Sequence, residues 1–284
     1  MLFLLFLLLI GDGAPVLQAS AGHLARPGNN ETAVKAGDEA AETIARAVVL
    51  YREFRSREAL TEFKKALALA PGHPEALIWA ARAHVDVGDF IPETVTGWRK
   101  KRVEQYRAAE RYAREAARIQ PDSTWPHFFL AVALGKLAEF SGTKKQIALA
   151  RGVRNAVDKA LARDPDNGFA YHVLGVLHRR LAEINAAERL LALVFLQRSV
   201  PGGRLDESAR LLKKALQYHP DIITHHLELA KTYRSLGRTD LAREHLLTVD
   251  RLPARFSDDG IHKRNARKML EDIARNGDGC HESC

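Results

Sequence analysis

Cysteine is nearly absent: Cys280 and Cys284 are the only two among 284 residues, and both fall in the last five. No disulfide framework can hold such a fold together, so the core has to be self-sufficient. Catalytic signatures are missing as well. The chain carries no H-E-x-x-H, G-x-S-x-G, P-loop or C-x-x-C-H motif, which argues against the enzyme classes built on them and against a cofactor. The longest apolar run, MLFLLFLLLI over the first ten residues, is too short to span a bilayer. What is present is 46% hydrophobic and 27% charged, enough apolar material for one core or one elongated array and too much for bulk disorder. Ala, Leu, Arg and Glu lose little rotamer freedom in a helix, and Gly and Pro punctuate the intervals between apolar periodic segments. The expected fold class is all-α.

The apolar run is followed by Ala19-Ser20-Ala21, a small-x-small pattern of the kind cleaved from secretory leaders. Residues 1–21 therefore read as a signal peptide, residues 22–37 as a linker, 38–276 as the folded domain and 277–284 as a tail. A basic n-region is lacking, so the leader is either cleaved, giving an exported, periplasmic protein, or kept as an anchor in the membrane. In the tail, Cys280, His281, Glu282 and Cys284 crowd four candidate metal ligands into five residues after Gly277 and Gly279. A frayed end or a small local disulfide explains that cluster better than a metal site does.

The domain repeats itself. KKALALAPGHPEALIWAARAHVDVG from Lys64 and KKALQYHPDIITHHLELAKTYRSLG from Lys213 share one skeleton. Aligned on Pro71, Pro121, Pro165 and Pro220, the chain has Ala66, Ala116, Ala160 and Ala215 five residues earlier, and Ala81, Ala131, Gly175 and Ala230 ten residues later. A Pro followed by Asp or Gly ends one helix, and the next begins within a few residues. Small residues at fixed offsets mark where the two helices of a hairpin cross closely, and no hairpin can bury that face alone, so the hairpins stack. Ala108 is expected on an exposed helix face, in contrast to Ala230.

The spacing of Leu229-Ala230, Tyr233, Gly237, Ala242 and Leu246, and of Ala59, Phe63, Ala66 and Pro71, resembles the tetratricopeptide repeat, whose 34-residue hairpins stack into a superhelix. Five hairpins are expected at Glu39 to Gly72, Pro74 to Asp122, Thr124 to Asn167, Gly168 to Asp221 and Ile223 to Phe256, with a capping helix from Asp259 to Arg275. The prolines are 50, 44 and 55 residues apart, so the central units carry insertions. The last insertion, Ile184 to Gly203, holds LLALVFL, apolar on nearly every side: an extra core helix, a groove element or a membrane contact. FSGTKKQIALARGVRNAVDKALARDPDN with the following LGVLHRRLAEINAAERLLALVFLQRSVPGGRLDESARLLKKAL resembles the tetratricopeptide domain of the regulator of microtubule dynamics family. That resemblance implies a non-enzymatic binding or scaffolding role; microtubule association is not carried over to a chain read as exported.

The net charge is +8, and the leader holds only Asp12, so the remainder is +9. In tetratricopeptide superhelices the first helix of each hairpin lines the concave face. Projecting that rule puts Arg82, Lys136, Arg179, Arg180, Lys231 and Arg234 there, with Trp125, Phe128, Phe169 and His172 nearby. Cations bind carboxylates by charge-assisted hydrogen bonds and aromatic rings can bury an anchor, so the site would suit an acidic peptide, although an ordinary solvated basic face has the same composition. His225 and His226, adjacent on a helix, diverge by about 100° and do not converge on one ion. Arg107, Arg111, Arg114 and Arg118 recur on one helical stripe behind Arg99 to Arg102; if functional, the stripe fits lipid headgroups, since export and the interspersed Glu104, Glu110 and Glu115 disfavour nucleic acid. Two readings follow: an exported non-enzymatic scaffold holding a protein or peptide in a basic concave groove, or a lipid-binding or membrane-apposed module in which the apolar insertion 184–203 lines a cavity and the basic stripes meet anionic headgroups.

Because neither cysteine lies in a repeat, thermal unfolding should be unchanged by a chelator or a reductant. A large fall in melting temperature with either would place the tail inside the cooperative fold.

Overall fold

The computed structural model describes residues 30–184 and 202–278, within which the chain forms eleven α-helices and no strand. They are α1 (Asn30–Arg52), α2 (Ser56–Leu69), α3 (Pro74–Asp89), α4 (Trp98–Ile119), α5 (Thr124–Glu139), α6 (Thr143–Arg163), α7 (Gly168–Ala182), α8 (Leu205–Tyr218), α9 (Ile223–Ser235), α10 (Thr239–Arg251) and α11 (Asp259–Asp278). The leader 1–21, residues 185–201 of the apolar insertion and both cysteines lie outside the described residues. Consecutive helices pair as five hairpins, α1 with α2 through α9 with α10, and α11 packs on α9 and α10 as the cap. Helix α1 starts within the stretch read as linker, at Asn30.

Each turn is built the same way. The first helix of a hairpin begins three residues after Pro71, Pro121, Pro165 and Pro220. His73 caps α3, with Nδ1 accepting from Ala76 N at 3.4 Å and Pro74 at the first helical position; Asn167 caps α7 through Oδ1 and Ala170 N at 2.9 Å. Six residues after three of the prolines a side chain donates back to the proline carbonyl. These bonds are His127 Nε2 to Pro121 at 2.9 Å, the Tyr171 hydroxyl to Pro165 at 2.9 Å, and His226 Nε2 to Pro220 at 2.8 Å. A carbonyl only accepts, so both imidazoles carry their proton on Nε2. These two histidines close turns.

The small residues stand at the crossings. Ala66, Ala116, Ala160 and Ala215, and Ala81, Ala131 and Ala230, are all fully buried. A Cβ on Gly175 would come within 2.7 Å of Leu212 Cγ, and one on Gly88 within 2.6 Å of the Tyr106 ring, so glycine there is the condition for α7 to meet α8 and α3 to meet α4. One apolar core runs through the hairpins from Ile44 to Leu211, and a second, around Leu227, Leu229, Leu246 and Ala266, ties the last hairpins to α11. Ala108 differs from its expected exposure: it is buried, beside Ala109 on the face of α4 that meets its neighbours.

Ala230→Leu and Gly175→Ala should each cost about 1–3 kcal/mol by overpacking a crossing. Gly135→Ala, where a Cβ meets nothing within 4 Å, should stabilise α5 by about 0.5–1 kcal/mol. Urea unfolding of the three variants checks this; the same sign at Gly175 and Gly135 would mean that the small residues do not mark the crossings.

Candidate functional site

The inner face of the array forms a half-open groove of about 1400 Å³, bounded by α3, α5, α6, α7 and α9, the turn before α9, and the segment Pro253–Asp258. Ile78, Phe129, Val132, Val173 and Leu177 give it an apolar wall, because these positions face inward on first helices whose other faces are taken up by packing between hairpins. Seven residues expected at a site line it: Arg82, Trp125, Phe128, Lys136, Phe169, His172 and Arg180. Three do not. Arg179 is buried behind the wall, bonded to Glu228 and Glu183; Lys231 bonds Glu228 at 2.5 Å; Arg234 is exposed outside the cavity.

The cationic site residues that line the groove are held by partners within it. The Arg82 guanidinium lies 4.8 Å from the Tyr51 ring centre and 5.3 Å from that of Trp79, and its Nε donates to the Tyr51 hydroxyl at 2.8 Å. That hydroxyl in turn donates to Asp86. Lys136 meets Asp89 at 2.6 Å, and Arg180 lies 3.9 Å from Glu139. Among the described lining residues are ten carboxylic acids against four permanent cations, Arg82, Lys136, Arg180 and Arg255. The expectation of a basic groove fails on this geometry, since the inner helices that carry the cations also carry Asp86, Asp89, Glu139, Glu183 and Glu228. The excess positive charge therefore sits elsewhere. On α4, Arg107 and Arg111 are exposed on the outer side, while Arg114 and Arg118 pair with Glu110 and Glu115.

Burial sets the protonation states. It draws the His172 imidazole down to about 4 and pushes the Asp86 carboxyl up to about 6 despite Arg82. Burial also works against the Glu228 carboxylate, but Lys231 and Arg179 outweigh it and hold that group at about 2. His172 Nδ1 meets His225 Nδ1 at 3.1 Å with the rings stacked, while His226 Nδ1 turns to His245 Nδ1 at 2.9 Å, so the adjacent histidines serve different neighbours. Reversing the charge of Arg179 would bury like charges against Glu228, so it would be a structural lesion and no test of ligand charge.

Stacked hairpins with small residues at their crossings and a half-open inner groove define a tetratricopeptide-type helical array. The chain belongs to the regulator of microtubule dynamics protein 1-3 family, whose model matches residues 43–274. Regulator of microtubule dynamics protein 1 of Bos taurus is 27% identical over 237 residues, covering 82% of this chain and 71% of that protein. The Mus musculus protein 1 is 26% identical, over 68% of this chain and 63% of its own length. Regulator of microtubule dynamics protein 3 of Mus musculus is 24% identical, over 71% and 42%. The chain thus spans only part of these relatives. A tetratricopeptide repeat protein of Thermus thermophilus shares the fold, with a TM-score of 0.58 and 19% identity over 80% of this chain and 98% of that one.

Stability should fall with acid in a defined window. His172 and His84 are both drawn by burial to about 4, below the ordinary 6.5, so the unfolded chain binds protons first and each imidazole withdraws up to about 3 kcal/mol between pH 6.5 and 4. Asp86, raised to about 6, works in the opposite sense, and Glu228 matters only below 4.5. Thermal melts from about pH 7.5 to about pH 4.5 should therefore show a net loss that His172→Gln makes shallower. A flat profile would contradict the buried, neutral imidazoles.

Proposed function

We propose that the protein is a non-enzymatic scaffold that holds a segment of a partner protein in its inner groove. The observation that carries this is the apolar wall of the 1400 Å³ cavity, rimmed by charges already paired within the fold. Paired carboxylates and cations fix orientation at little cost, whereas an apolar wall stabilises any chain that covers it. With carboxylates outnumbering cations along the wall, the groove favours an apolar segment with neutral or basic flanks over the acidic peptide expected from overall charge. Export belongs to the proposal on the strength of the apolar run at residues 1–10 followed by Ala19-Ser20-Ala21. The membrane-apposed alternative rests on the insertion, of which residues 185–201 lie outside the described residues. No described helix is long and apolar enough to cross a membrane.

A photoreactive side chain at Val176, on the groove wall, should capture a partner protein from the native compartment, and one at Arg107 should not. Val132→Arg should lower capture about tenfold with helix content unchanged. Capture that survives Val132→Arg, or that moves to position 107, would overturn the groove reading.

A further inference from the structure

After α10 the chain does not pass directly into the cap. Residues 252–258 run across the concave face to the opposite wall, 171 residues away in sequence, where the Ser257 hydroxyl donates to Asp86 at 3.4 Å. The Phe256 ring lies 5.6 Å from the Arg82 guanidinium and edge-on to Phe169 at 6.3 Å. Arg255 pairs with Asp221, and His262 bonds Asp258 at 2.9 Å. The bend is set by the Asp259 carboxylate, which accepts from Arg255 N at 2.7 Å and Phe256 N at 2.8 Å. The strap therefore engages the groove through one aromatic side chain, one hydroxyl and a few ionic links.

It is not held as the helices are. Pro253 and Ala254 are exposed and none of residues 255–258 is fully buried, so the strap belongs to the low-stability end of the molecule. Ala266 and Ile273 anchor α11 in the second core, and Leu252 packs there too, so α11 has anchors apart from Phe256 and Ser257. If the strap leaves, one side of the Arg82 guanidinium, the edge of Phe169 and a lone pair of Asp86 open together onto the groove. That is a seat for a planar aromatic ring with a hydrogen-bond donor one residue further on.

We infer that this seat is the groove's anchor pocket, that the partner segment presents an aromatic side chain followed by a hydrogen-bond donor, and that Phe256 and Ser257 occupy the pocket in cis until the partner displaces them. The inference rests on the peptide-groove reading and adds to it the identity of the anchor. A strap closed most of the time lowers the apparent affinity for any such partner by the fraction of molecules that are open.

The probe is a fluorescein-labelled peptide of the strap's own sequence, PARFSD, added to the full-length chain and followed by anisotropy. Phe256→Ala should bind it at least about tenfold more tightly than the unaltered protein, and adding Arg82→Ala, or changing the peptide's Phe to Ala, should remove that gain. In the unaltered protein, saturating peptide should speed hydrogen exchange at the Arg255 and Phe256 amides about tenfold, a readout that needs no variant to fold. Equal binding to both proteins, binding indifferent to the peptide's Phe, or unchanged exchange at those amides would each overturn the inference. If the groove still captures partners at Val176 while the strap peptide fails, the anchor assignment falls and the scaffold reading stands. Loss of both would remove the groove itself.

Discussion

Two helices can approach only as closely as the side chains between them allow, and everything else here depends on how that limit is met. Fully buried alanines recur five residues before and ten after the turn prolines, with Gly175 where a methyl would strike Leu212. Close crossings let each second helix cover its partner's outer flank, which leaves the inner flank of α3, α5, α7 and α9 without a helical neighbour. Stacking then joins those flanks into one wall. The groove is thus a by-product of packing: it is the face that hairpins cannot bury against each other.

A wall of that kind carries an electrostatic penalty that the sequence meets locally. Charged groups along it lose hydration, and partners on the same helix or on a neighbouring first helix offset this: Lys136 pairs with Asp89 at 2.6 Å, and Glu228 on the wall pairs with Arg179 behind it and with Lys231 at 2.5 Å. The protein as a whole is basic at +8, yet its groove is lined by more acids than bases. Net charge therefore describes the outer surface, where the unpaired cations of α4 stand, and says little about what enters the groove.

The array was legible because periodicity is a local property. Proline positions gave the hairpin starts, the small residues gave the crossings, and the family resemblance seen in the two quoted stretches is the family to which the chain belongs. The roles of His127 and His226 were within reach, since both stand six residues after a turn proline, but a polar residue on a first helix reads equally well as a groove residue. The site was less legible for a physical reason. Helical projection placed Arg179 and Lys231 on the inner face without showing that Glu228 stood between them, and it assigned Ala108 to solvent although α4 is covered on that side. The strap was beyond reach, because the Ser257–Asp86 contact joins residues 171 apart and no repeat pattern encodes it.

The central claim is that the inner face, and not the outer one, meets the partner. Hydroxyl-radical footprinting of the full chain with and without its captured partner reads this at the side chains themselves. Trp125 and Phe169 line the groove, while Trp98 stands at the start of α4 against Arg102 and Phe140, away from it. The account predicts that partner binding protects Trp125 and Phe169 from oxidation and leaves Trp98 unchanged. Protection of Trp98 with Trp125 and Phe169 still reactive would contradict it.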